Sequence, residues 1–143
     1  MRLDPIISRL AVALNGITRQ VEGAAGMDAA LGGIVTPPAV FVIPLAQKGQ
    51  EMPTTGVTRQ RLTHMFGVVY CAENFRQPNG AAAVGDLAAL REPVMQSLVG
   101  WVPDPDNGEP VLFSGGELIQ LEGDGRLWWA DEFFLSSYFR SNN

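Results

Sequence analysis

His64 and Cys71 are the single histidine and the single cysteine of the chain, and an imidazole beside a thiol is the makings of a nucleophilic pair. Both fall in one stretch read as a strand, seven positions apart. Side chains alternate along a strand, so an odd separation sends the two to opposite faces. Cys71 is therefore read as a buried core thiol and His64 as a residue of a partly exposed face, and neither is assigned a catalytic role. Carboxylates come next. Asp131 and Glu132 are adjacent on a strand and point apart. Asp104 and Asp106, with Glu109, lie in a Pro/Gly-rich loop whose Asp-Pro-Asp-Asn-Gly run is only loosely like a calcium loop, without its further ligands or distal glutamate. Gly23, Gly26, Gly32 and Gly33 do not make a dinucleotide fingerprint, and no Walker loop or G-x-S-x-G elbow occurs. No cofactor or metal is expected.

Aromatic residues form the most unusual pattern. Trp128-Trp129, Phe133-Phe134 and Tyr138-Phe139 follow one another near the C-terminus, and each doublet on a strand puts one ring on either face. One face belongs to the core, and the other needs cover, either from a neighbouring subunit or from helices of the same chain. Stacking on single-stranded nucleic acid finds little support, because the nearby cations are Arg126 and Arg140 alone.

Elements must position these residues, and 143 residues suffice for one ordinary domain. Ten basic against fifteen acidic residues give a net charge of −5, and the isoelectric point is about 4.7. A protein binding nucleic acid by counterion release needs the opposite sign. Lone Cys and His residues exclude a disulfide framework and a Cys/His zinc site. Hydrophobic residues make up 46% and charged ones 17%, the latter against roughly 25% in ordinary domains. So thin a charged coat points to surface buried against other subunits. No run approaches the roughly 18 apolar residues of a membrane span, and no signal peptide is read at the N-terminus; assembly in a cytoplasm is the expectation.

Along the chain, Asp4 is the expected N-cap and Pro5 the first residue of a helix whose stripe is Leu3, Ile6, Ile7, Leu10, Leu14 and Ile17. Residues 23–33 read as a Gly/Ala-rich connection with room for a helical turn at 28–31. A short buried strand covers 39–45, ended or placed at an edge by Pro44. Residues 47–56 are polar and turn-forming, and a longer strand runs from 57 to 73, polar in its first half and apolar in its second. After a loop at 74–80, a helix from about Ala81 shows Leu87, Leu90, Val94, Leu98 and Trp101 on one face, with a kink expected at Pro93. Residues 102–116 read as a long loop. A closing hairpin, 117–122 and 126–138, turns at Gly123-Asp124-Gly125. The order α-β-β-α-β-β predicts an α+β fold: an antiparallel sheet of about four strands with helices packed on one face, and a single domain over residues 1–143.

The N-terminal helix, the Pro-introduced strand, the long strand 59–73, the Gly85-Asp86-Leu87…Trp101 helix and the closing hairpin with Trp128-Trp129-Ala130-Asp131 together resemble the tail terminator (tail completion) proteins of long-tailed bacteriophages. The resemblance covers nearly the whole chain and rests on element order, length and character, since that family has no short fingerprint. It implies a structural virion protein of the tail and neck, assembled in the host cytoplasm. Six copies would form a ring that caps the tail tube, stops its polymerisation and offers its other face to a head-completion or neck protein, with DNA passing through the lumen unbound. A closed ring needs two different lateral surfaces per subunit, and an acidic balance suits a lumen that passes DNA. Arg59, Gln60 and Arg61, with Trp128 and Trp129, are the candidate partner-interface residues. A head–tail adaptor or other neck ring protein is the alternative within the virion. The enzymatic alternative is an acid–base site built from His64 and Glu73 or Asp131.

Overall fold

Helix α1 spans Asp4–Ala13 in the computed structural model, which describes residues 2–18, 20–33, 35–50, 58–73, 81–121 and 126–141. The expected turns at 74–80 and 123–125, residues 51–56 of the polar connection and the first residue, 57, of the strand read after it lie outside the described residues. Pro5 sits in the first turn of α1 and Ile6 and Leu10 are buried, as the stripe requires. The cap differs: Leu3 holds that position without a side-chain bond, and Asp4 lies inside the first turn, where its charge suits the positive helix end. Ile17 falls beyond the helix and is 43% exposed.

Two short elements follow: a strand that the pattern of residues did not announce, and a helix of which only the turn at 28–31 was read. Strand β1 (Gln20–Glu22) holds one apolar side chain in three residues, and helix α2 (Ala24–Leu31) holds four alanines, one glycine, Met27, Asp28 and Leu31, with no long apolar stripe. Strand β2 (Ala39–Gly49) runs through Pro44 and absorbs it with a bulge between Pro44 and Ala46. Strand β3 (Thr58–Glu73) is the long polar-then-apolar strand expected. Helix α3 (Ala81–Leu98) carries Pro93 inside it and continues to Leu98, with Leu87, Leu90, Val94 and Leu98 buried and Trp101 packed beside them. Gly100 follows at φ +88°, a left-handed position that suits glycine after a helix. Its N–H donates to the Val111 carbonyl at 2.8 Å. Strand β4 (Leu112–Leu121) begins inside the stretch read as loop, and β5 (Arg126–Ser141) closes the chain.

The sheet corrects the expectation of four antiparallel strands. It has five strands in the order β1-β2-β3-β5-β4. β1 lies parallel to β2, with Gln20 opposite Ala39 and Glu22 opposite Phe41, and the remaining pairs are antiparallel. Parallel neighbours need a crossover, and α2 provides it. The helices also do not share one face. Alternate residues of the central strands (Val40, Val42, Phe66, Val68, Tyr70, Leu127, Phe133) pack with α1 and α3. The intervening ones (Ala39, Phe41, Val69, Cys71, Trp128) pack with Ala30 and Met27 of α2. Burial of both faces at this end explains the continuous apolar run of β3.

Candidate functional site

His64 and Cys71 do face apart. Cys71 is fully buried in the cluster under α2, whereas His64 lies on the α1/α3 side, 5% exposed, with Nε2 2.7 Å from Ser137 Oγ. Burial lowers the imidazole pKa from its ordinary value, so the ring stays neutral near pH 7. Neither carboxylate is brought to it. His64 pairs with Leu135, Asp131 with Val68, and Glu73 with Arg126. At roughly 3.3 Å per residue, four and nine positions along β3 are about 13 and 30 Å. Glu73 is held instead by Arg126, Oε2 accepting from Nε at 3.1 Å. In the Asp104 loop the carboxylate accepts from the backbone N–H groups of Asp106 and Asn107 at 3.1 and 3.3 Å, so it fixes a turn. Among the described residues no three His, Cys, Asp or Glu side chains are grouped to hold a metal ion.

Asp131 is the most deeply committed polar group. It is 0% exposed and receives Arg91 of α3 through two bonds, Nε to Oδ2 at 2.9 Å and Nη2 to Oδ1 at 2.8 Å. The Trp129 indole N–H donates to Oδ1 at 2.9 Å, and the Arg91 guanidinium lies over that ring, 4.8 Å from its centroid. A bidentate pair of this kind fixes orientation as well as distance, so it locks α3 onto β5. Burial, with the Asp131 charge adding to it, pushes the Tyr70 phenol pKa far above its ordinary value. Gly116 stands opposite Asp131, where a Cβ would collide with Asp131 Oδ1 and the Trp129 indole. Only a glycine lets β4 close over this group.

The candidate interface residues divide between two environments. Trp128 is 5% exposed and stacks with Phe41 at a centroid distance of 6.3 Å, under the cover of α2. Trp129 is half-buried against the α1/α3 core. Helices of the same chain thus cover much of both rings. Arg59 is exposed, with its guanidinium 4.2 Å from the Tyr138 ring centroid. Gln60 Nε2 donates to the Gln50 carbonyl at 3.1 Å. Arg61 pairs with Glu109 at 3.1 Å and donates to Ser136 Oγ at 3.3 Å. These residues occupy the end of the sheet where β2 has turned outward: positions 44–50 are exposed throughout. A further surface was missed by sequence reasoning. On β4, Leu112, Phe113, Leu118 and Ile119 are 36–51% exposed. Adjacent pairs such as Leu118-Ile119 put apolar side chains on both faces of a strand, and that doublet was the available signal.

Comparison with known proteins places this architecture. No curated protein matches the chain. A solved chain from the "Virion of native gene transfer agent (GTA) particle" is similar in fold, with a TM-score of 0.50 and 16% identity, over 91% of this chain and 84% of that one. The family model described as "Phage tail terminator protein" matches residues 1–143, the full length of the sequence. The chain belongs to that family, the structural proteins of the phage virion tail.

Proposed function

We propose that this protein terminates the tail: six copies form a ring that seats on the end of the tail tube, halts its growth and presents the opposite face to a head-completion or neck protein. The observation that carries this reading is the family match over the whole chain. Supporting it are a thin charged coat, 17% of residues, and a sheet whose two margins differ, as a head-to-tail ring requires. The excess of acidic over basic residues suits a lumen through which DNA passes without being held. Arg59, Gln60 and Arg61 are proposed to meet the tube or a neighbour at the outward end of β2 and β3. Trp128 and Trp129 serve inside the subunit.

Native mass spectrometry of the protein, free and mixed with tail tubes, is the test of stoichiometry. Six copies are expected, and dimers alone on assembled tails would overturn the ring. Electron microscopy of particles carrying a labelled copy should show density at the head-proximal end of the tube, and tubes grown without the protein should be overlong and headless. Label confined to the head, with tubes of normal length in its absence, would instead assign the chain as a head–tail adaptor.

A further inference from the structure

Two margins of the sheet are unpaired, and they differ in kind. β4 lies outermost beyond β5, so its other side meets no strand over Leu112–Leu121 among the described residues. At the opposite margin β1 covers β2 only at Ala39, Val40 and Phe41, which leaves residues 42–49 of β2 with an open side among the described residues. An open edge offers a row of N–H and C=O groups to another strand, and proteins usually guard it with lysine, proline or a bulge. β2 is guarded in all three ways, by Lys48, Pro44 and the bulge beside it. β4 has bulges between Phe113 and Gly115 and between Leu118 and Gln120, but it contains neither lysine nor proline, and its four exposed apolar residues stand on both faces. Its single charge is Glu117.

We propose that copies of this chain join by adding the open edge of β4 in one subunit to the open edge of β2 in the next, so that the sheet continues across the contact. This rests on the ring reading and specifies its lateral interface. Charge selects the partner. A β4 edge pairing with its own copy about its centre brings two Glu117 side chains together, and like charges opposite one another destabilise a strand pair. Joining β4 to β2 brings Glu117 to Lys48, and neither has an ion-pair partner among the described residues. An antiparallel register with Lys48 opposite Glu117 also sets Gln47 opposite Leu118 and brings Ala46 alongside Ile119, the residue at the β4 bulge, a small side chain against a large one. Direction agrees. Strands β2, β3, β5 and β4 alternate, so β4 runs opposite to β2, and copies rotated about an axis along the strands meet antiparallel, as within the subunit. Two different edges in contact make a heterologous interface, the kind that closes into rings.

The test joins cysteines placed across the contact. Lys48→Cys with Glu117→Cys, treated with a short bismaleimide, should give a denaturing-gel ladder that stops at six copies. Wild type, whose Cys71 is buried, and each single variant should give none. Ile119→Lys should keep the wild-type melting temperature and lose the ring, and the exchange Lys48→Glu with Glu117→Lys should restore rings that each single change removes. Native rings without a ladder, or rings that survive Ile119→Lys, overturn the edge contact and leave the ring standing. A ladder from Glu117→Cys alone overturns it in favour of paired β4 edges. A ladder running beyond six, with no ring by mass, keeps the edge contact and overturns the ring.

Discussion

Arg91 and Asp131 carry a larger share of this fold than their positions in the sequence suggest. A carboxylate with no exposure needs its charge answered, and here a guanidinium from α3 and an indole N–H from β5 answer it. Removing one partner of such a pair costs about 3–5 kcal/mol, because the other is left buried and uncompensated. Arg91→Ala, which leaves the fully buried Asp131 carboxylate without its cation, should therefore lower stability by about that amount, measured by urea unfolding. The double variant Arg91→Ala with Asp131→Ala should cost clearly less than the two single changes added together. Additive losses would show that the two residues act independently. Sequence reasoning placed Asp131 on a strand, facing away from Glu132, and that much holds. It did not find the burial, because the partner lies 40 positions away on a helix whose stripe announced only its apolar residues. Arg59, Gln60 and Arg61 were recognised by the hydrophilicity of their segment, a local signal. Their partners Tyr138, Gln50 and Glu109 are mostly set by sheet register and were not legible.

Helix α2 shows the same limit for elements. The strongly patterned ones were legible: the stripe of α1, the apolar half of β3, the face of α3 and the hairpin of β4 and β5. β1 was not, since three residues with one apolar side chain carry no period and form a strand only because Ala39–Phe41 of β2 lies alongside. α2 was read only as a turn at 28–31, since Met27 and Leu31 among alanines make no stripe; the helix is defined by what it covers. These two small pieces turn an antiparallel sheet with one helical face into a mixed sheet covered on both. What holds α2 down is the cluster of Phe41, Cys71 and Trp128, where Trp128 is the largest side chain. Trp128→Ala should cost about 3–5 kcal/mol, read by thermal or urea unfolding. It should also raise amide exchange across α2 before that of α1 and α3, which pack on the other face. Uniform exchange in all three helices would mean that α2 is fixed by something other than this cluster.

For the whole molecule, the division between a covered end and an open end organises the function. At one end α1, α2 and α3 bury both faces of the sheet. At the other, β2 is exposed from Pro44 onward, and β3 and β5 continue past its last partner, with Thr58 opposite Ser141 and Arg59 opposite Arg140. Arginines gathered at this end of an otherwise acidic chain (net charge −5) give the subunit a polarity along its strands. Under the proposed role the subunit must distinguish the tube on one side from the head on the other, and such a polarity would supply the difference. Arg59→Ala with Arg61→Ala should leave the fold nearly intact, because an exposed cation over a half-buried ring and a half-exposed ion pair are each worth about 1 kcal/mol or less. Tails assembled with that variant should nevertheless be overlong or headless in electron micrographs, since truncating charges at an interface weakens docking out of proportion to folding. Glu109→Ala is the control: it breaks the Arg61 ion pair within the subunit and keeps both arginines, so its tails should have normal length. If the double variant also gives normal tails joined to heads, the open end of the sheet is not the surface that meets the tube.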